Sequence, residues 1–369
     1  MRIGIISKYY KNYNYGGLLQ SYALVKVLDN LGYEAKQISF KPNDRKKYGV
    51  KNYFLLYAKS WVKSGILHFR HIYIKSFNTR MIEFMRSIPH TKSVTENNVY
   101  DLNTDFDAFI AGSDQIWNPA FAYNEYFLNF ADKSKKKISY AASIGVIDCN
   151  QDELEYLKKG IGSFDFISLR EYEGKKLVKK ILPDRQVEWV LDPTFLLNKS
   201  DWSELDVSDS MNLPKRYAVV YLMGNNPNNE QLVRKIIDSL SIEAIVIPFT
   251  FSDYMKSKRN LVDLGPKEFV TLIKHATVVF TDSFHATSFS IINEVNFYCL
   301  NRSGEVSEKS MNSRIDSLFR LLEIKPRWIR NFDEYESLDR DIDFTVVEKL
   351  IEKYRAESLK FLCDALDNN

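Results

Sequence analysis

Short apolar runs alternate with amphipathic stretches along most of this chain. Residues 3–7 read as a first buried strand, and a polar, aromatic loop covers 8–15. Gly16-Gly17 then opens a helix over 18–31, with apolar residues at helical spacing. Gly32 stops that helix, and 34–40 read as a second strand. Strands at 106–111, 137–143, 164–169 and 187–191 continue the pattern, with helices at 151–159 and, after Arg170-Glu171 ends its strand, on to Lys180. After a polar interval at 198–215 the rhythm starts again. Strands are expected at 217–222, 244–248, 277–281 and 296–300, and helices at 229–240, 266–275, 284–293, 312–322 and 344–366.

Strand–loop–helix–strand units of this kind build doubly wound α/β domains. The predicted fold is therefore two Rossmann-like domains, 1–200 and 201–369, with 198–215 as the linker. Two such domains facing each other leave a cleft between the carboxyl ends of their strands, where ligands bind. The diglycine lacks the spacing of a dinucleotide fingerprint or a P-loop.

Composition narrows the function classes. A net charge of +3 over 369 residues gives no general case for nucleic acid. The three cysteines, Cys149, Cys299 and Cys363, are far apart and suggest neither a metal motif nor a disulfide framework. A reducing, cytoplasmic setting fits them. The apolar stretch after Met1 is too short for a signal peptide or a membrane span. Residues 41–80 are different. They hold about ten Lys or Arg against one acid, Asp44, with interleaved aromatics. They read as solvated helices with aromatic inner faces, or as a basic surface resting on an anionic membrane.

The densest chemistry lies at 280–287, Phe-Thr-Asp-Ser-Phe-His-Ala-Thr. A strand runs into a capped helix whose first turn carries His285. Unpaired N–H groups at a helix start attract anions, and a histidine near pH 7 can pass protons. Arg170 ends another strand and can grip a phosphate or carboxylate with two bonds. Asp114 and Gln115 offer a carboxylate and an amide beside Trp117, whose indole could stack on a sugar. Arg314, at a helix start, is a second candidate anion contact. Plain structural roles compete with each of these: a cap for Ser283, a surface pair for Arg170, core filling for Trp117.

Six segments, in order, resemble one family. They are Asn14-Tyr15-Gly16-Gly17, Gly112-Ser113-Asp114-Gln115-Ile116-Trp117-Asn118, Tyr140 to Gly145, Ser168-Leu169-Arg170-Glu171, Leu191-Asp192-Pro193-Thr194 and Thr281 to Ala286. Together they are similar to the polysaccharide pyruvyl transferases, over residues 2–322. The resemblance implies a fold like that of GT-B glycosyltransferases, with the final helix packing back on the first domain. It implies phosphoenolpyruvate as donor, a sugar or lipid-linked oligosaccharide as acceptor, and no metal or other cofactor. Under it, His285 is the proton donor and Arg170, Ser283 and Arg314 hold the donor. Asp114 orients or deprotonates the acceptor hydroxyl, and Asn14, Gly16, Gly17, Gln115 and Trp117 shape the acceptor side. Some members carry an arginine two residues before the histidine, where this chain has Ser283; Arg314 or a lysine such as Lys175 is then expected to replace it. Two other readings stand beside this one: a glycosyltransferase of similar architecture using a nucleotide sugar, and a non-catalytic sugar-binding relative. The segment Leu300-Asn301-Arg302-Ser303 offers no carboxylate for a ribose, which weighs against the first.

Overall fold

A computed structural model describes residues 1–42, 79–120, 122–224, 226–249, 253, 263–302, 312–338 and 341–367. The basic stretch expected at 41–80 falls almost wholly outside the described residues. At its described end, Arg80 pairs with Asp263 and Glu268 of the second half.

The first sheet holds β1 (Arg2–Ile6), β2 (Glu34–Gln37), β3 (Ala108–Ala111) and β4 (Lys136–Ser139), in the order β2-β1-β3-β4, all parallel. Single bridges, Ile138 to Phe166 and Ala142 to Leu169, extend it toward β5 (Ser168–Leu169), which pairs with β6 (Glu188–Trp189). The second sheet runs β10-β9-β7-β8, again parallel, from β7 (Tyr217–Tyr221), β8 (Glu243–Val246), β9 (Val278–Thr281) and β10 (Phe297–Cys299). Parallel sheets need both faces covered, and the central strands β3, β7 and β9 are buried at every position.

Helix α1 (Tyr15–Asn30) starts earlier than the sequence pattern suggests. Asn14 caps it by accepting from the Gly17 N–H at 3.0 Å, so the diglycine lies inside the first turn rather than in a free loop. The expected linker at 198–215 is not free either. Asn198 caps α5 (Lys199–Ser203) with a reciprocal bond to Asp201, and Trp202 is buried against Phe289 while donating to the Thr194 carbonyl. The remaining α-helices among the described residues are α2 (Thr79–Ser87), α3 (Gln151–Ile161), α4 (Tyr172–Ile181), α6 (Pro227–Leu240), α7 (Pro266–Lys274), α8 (Phe284–Ile292), α9 (Ser313–Leu321), α10 (Phe332–Ser337) and α11 (Phe344–Asp367).

One apolar core passes through both halves. At the seam, Tyr15 of α1 stacks on Phe269 of α7 with ring centroids 4.8 Å apart, and Tyr221 meets both rings edge-on. Helix α11 crosses back to the first half. Its Ser358 hydroxyl accepts from the Leu191 N–H at 3.0 Å, and Arg355 donates to the Phe195 carbonyl at 2.8 Å. Near its end, Lys136 donates to the Leu366 carbonyl and Tyr33 to Asp367. Among the described residues, no helix is long and apolar enough to cross a membrane.

Candidate active site

The seam is packed where the carboxyl ends of the two sheets meet. Lys8 follows β1, Asp114 follows β3, Arg170 follows β5 and Asp192 follows β6. From the other half come His285, in the first turn of α8 after β9, and Arg314, in the first turn of α9.

Arg170 is central, and its side chain has no exposed surface. One terminal nitrogen, Nη1, donates to Asp192 Oδ2 at 2.8 Å and to the Ser113 hydroxyl at 3.3 Å. The other, Nη2, donates to Asp114 Oδ1 at 3.3 Å. Its guanidinium carbon lies 4.5 Å from the centroid of the Phe284 ring. The expected anion grip is therefore engaged with carboxylates of its own half, and a surface pair with Glu171 is not what holds it. Glu171 instead accepts from the Ile144 and Gly145 N–H groups, fixing the turn after β4. Arg170 Nε and Glu171 Oε2 stand 4.0 Å apart, and neither makes a hydrogen bond.

Asp192 was not among the expected site residues. Its oxygens take four donors: Arg170 and the Ser113 hydroxyl at 2.7 Å on one, the Thr194 N–H and hydroxyl on the other. Burial works against its charge, but His285, Arg170 and Ser113 outweigh that and keep the carboxyl below its usual range. The Asp-Pro pair closing a strand was visible in the sequence; its pairing with a residue 22 positions away was not.

His285 comes next to this pair. Its Nε2 is 3.9 Å from Asp192 Oδ2, too far for a hydrogen bond, and accepts or donates none among the described residues. The ring lies directly against Gly16: a Cβ built there would fall 2.0 Å from His285 Nδ1. At Gly17 a Cβ would meet only the outer end of the Asn12 side chain, 2.1 Å from its amide nitrogen. Burial lowers the His285 pKa to about 4; Arg170 and Arg314 add to this, and Asp192 and Asp114 only partly oppose it. The imidazole is neutral at pH 7, which corrects the expectation of a group titrating near neutrality.

A pH dependence of stability follows. The unfolded chain takes up this proton first, near pH 6.5. The contribution of His285 is thus complete above about 6.5 and is lost as pH falls from there toward 4. The drop from 6.5 to about 4 corresponds to about 3 kcal/mol. Denaturant unfolding from pH 7 to 4 should show this loss in the parent and not in His285→Gln. Parallel curves for the two proteins would refute it.

The remaining groups complete the charge pattern. Burial would raise the Asp114 carboxyl, but Arg170, Lys8, His285 and Arg314 hold it well below the carboxylate range. Asp114 also sits at φ 75°, a costly conformation for a non-glycine residue, in a turn where its carbonyl accepts from the Ile116 and Ser143 N–H groups. Burial depresses Lys8 despite Asp114, and Arg314 and Arg170 depress it further. Burial and Arg170 bring Arg314 down to about 9. Lys8 carried no signal beyond its position after the first strand.

Several expected roles change. Ser283 caps α8, its hydroxyl accepting from the Ala286 N–H and its carbonyl bonding the Thr287 N–H and hydroxyl; it brings no charge to the site. Asn14 spends its side-chain oxygen on the Gly17 cap. Gln115 packs its amide against Gly145, without a partner for Nε2. Trp117 is wholly buried between Phe127 and Phe164 and donates to the Tyr126 carbonyl, so it has no face to offer a sugar. It reads as core because its neighbours come from α3-proximal segments the local pattern does not bring together. Among the described residues, no group of three His, Cys, Asp or Glu is placed to hold a metal ion.

Two parallel Rossmann-type sheets, joined at their carboxyl edges and strapped by a final helix, form the architecture of GT-B glycosyltransferases and related epimerases. The chain belongs to the polysaccharide pyruvyl transferase family, whose model matches residues 14–304. Among solved structures it is similar to a putative UDP-N-acetylglucosamine 2-epimerase from Listeria monocytogenes, with 10% identity over 97% of each chain and a TM-score of 0.50. The UDP-GlcNAc 2-epimerase of Methanocaldococcus jannaschii is 13% identical over 89% of this chain and 94% of that one, with a TM-score of 0.48. The E. coli ADP-heptose lps heptosyltransferase II is 10% identical over 96% and 99%, with a TM-score of 0.36. These likenesses concern the fold alone. No curated protein matches the chain.

Proposed function

We propose that this chain moves the enolpyruvyl group of phosphoenolpyruvate onto a sugar of a cell-surface polysaccharide or its precursor, releasing phosphate and leaving a pyruvate ketal. The observation that supports this most is the crowding of Lys8, Arg170 and Arg314 around Asp114, beside a buried imidazole whose Nε2 makes no hydrogen bond among the described residues. Burial and mutual repulsion press Lys8 and Arg314 toward neutrality. An incoming phosphate and carboxylate would relieve that repulsion, as electrostatic preorganisation requires.

The donor's negative charges favour the imidazolium and raise the His285 pKa, so a proton enters with the donor. His285 gives this proton to the methylene carbon while one sugar hydroxyl attacks the adjacent carbon. Asp114, ionised and freed as Arg170 turns to the donor, takes the hydroxyl proton. A second hydroxyl closes the ketal as the phosphate bond breaks. Of the two hydroxyl protons, one offsets the proton now on the methyl carbon and the other leaves on phosphate. Asp192 holds Arg170 and faces His285, a positioning role.

Thermal unfolding with phosphoenolpyruvate, plain phosphate and nucleotide sugars tests the reading. Phosphoenolpyruvate at a hundred times its Kd should stabilise by about 2.7 kcal/mol, more than phosphate does. Calorimetry in buffers of different ionisation enthalpy should record net proton uptake near pH 6.5, absent in His285→Gln. Stabilisation by a nucleotide sugar alone would favour the glycosyltransferase reading instead.

A further inference from the structure

A second feature lies beside the site and takes no part in the chemistry above. A cavity of about 310 Å3 opens between the loop after β1, helix α2 and the segment 90–93. That volume is within the range of small-ligand pockets. Tyr9, Tyr10 and Tyr13 give it aromatic surface, and Lys11, Arg86 and Lys92 bring three cations from three separate segments. None of the described residues lining it is acidic.

The tyrosines differ in depth. Tyr9 is buried, its ring 5.8 Å from His90 and its hydroxyl donating to the Met85 carbonyl. Tyr13 stands about half exposed at 48%. Lys11 lies 5.5 Å from the Tyr10 ring and is held at φ 50°, a conformation that a non-glycine residue adopts at a cost. Lys11, Arg86 and Lys92 form no ion pair with an acid among the described residues. The loop connects the cavity to the site. Lys8 belongs to the buried charge cluster, and the next residue, Tyr9, lines the cavity. Asn12 stiffens this loop by donating to the Lys8 carbonyl and accepting from the Asn14 N–H.

Aromatic faces match the C–H faces of a sugar ring, and clustered cations match an anionic substituent. We propose that this cavity binds an acidic sugar residue of the acceptor chain, next to the sugar that reacts. The ring would rest on the tyrosines, and its carboxylate or phosphate would meet Arg86, Lys92 and Lys11. This rests on the transferase reading for the word acceptor, but the binding itself does not depend on it.

Calorimetric titration of the full chain at low salt tests it, with glucuronate, glucose 1-phosphate and glucose as probes. At least one acidic sugar should bind about tenfold or more tighter than glucose, and which one does identifies the anion. In Arg86→Ala/Lys92→Ala, two exposed positions, the acidic sugars should fall to the level of glucose. Tyr13→Ala should weaken all three. Stabilisation by phosphoenolpyruvate should persist in the double variant, and its absence from the parent would count against the transferase reading, not against the cavity. Equal affinity for glucose, unchanged binding in the double variant, or no binding up to about 10 mM would overturn the proposal. So would a loss of sugar binding confined to Arg170→Ala, which would place the sugar at the buried cluster.

Discussion

Arg170→Ala is expected to lower folding stability by about 3–5 kcal/mol and to abolish stabilisation by phosphoenolpyruvate. Removing one member of a buried ion pair leaves the other charge without its partner. Here two carboxylates lose it together, Asp192 at 2.8 Å and Asp114 at 3.3 Å. Arg170→Lys should not restore the site, because one ammonium cannot reach Asp192, Ser113 and Asp114 from a planar fork. Arg170→Ala/Asp192→Asn should recover part of the stability, since the amide oxygen can still accept from Thr194 while the buried charge disappears. It should not recover the response to phosphoenolpyruvate. Denaturant unfolding of the three variants reads the first effect and thermal shift the second. If Arg170→Ala unfolds like the parent, the guanidinium does not stabilise the first half through Asp192 and Asp114.

The second large effect is expected from the smallest side chain. In Gly16→Ala the new methyl carbon would lie 2.0 Å from His285 Nδ1, 2.1 Å from its Cγ and 2.6 Å from its Cβ. Those atoms belong to the other half of the molecule, so either the ring leaves its place or the seam opens. Overpacking of this kind costs about 1–3 kcal/mol, and at this depth of overlap the upper end is expected. Turnover should fall about a hundredfold or more, because the imidazole is displaced from Asp192 and from the space the donor would fill. The cost of Gly16→Ala should shrink in a His285→Gly background, where all three clashing atoms are gone. Unfolding of the four members of this cycle measures that coupling directly. Equal costs in the two backgrounds would show that Gly16 serves α1 alone.

Both effects join residues that no local pattern connects. Most strands and long helices were legible in the sequence but their ends were not: the second strand stops at Gln37 rather than 40, and α1 begins at Tyr15 rather than 18. Apolar runs gave the strands, and Ser283 caps its helix as expected, because capping is a bond between a side chain and a backbone group two or three residues away; Asn14 and Asn198 also cap helices, at starts the pattern did not mark. The six ordered segments placed the chain in its family, and strand–helix alternation gave two parallel sheets. Arg170 and His285 stood out because each follows a strand, and the edge of a parallel sheet is where ligands bind.

What those side chains face depends on packing between segments remote in the chain. Trp117 carries the same indole whether it meets a sugar or Phe127, and burial depends on segments that are remote in the chain. The interval 198–215 looks like a linker by composition, yet Trp202 ties it to the core of both halves. Asp192 and Lys8 join the site only when β6 and β1 lie in register with their neighbours. The neutral state of His285 has the same origin. A histidine's pKa is set by the water it loses and the charges it meets, and both come from packing the second half against Gly16 of the first.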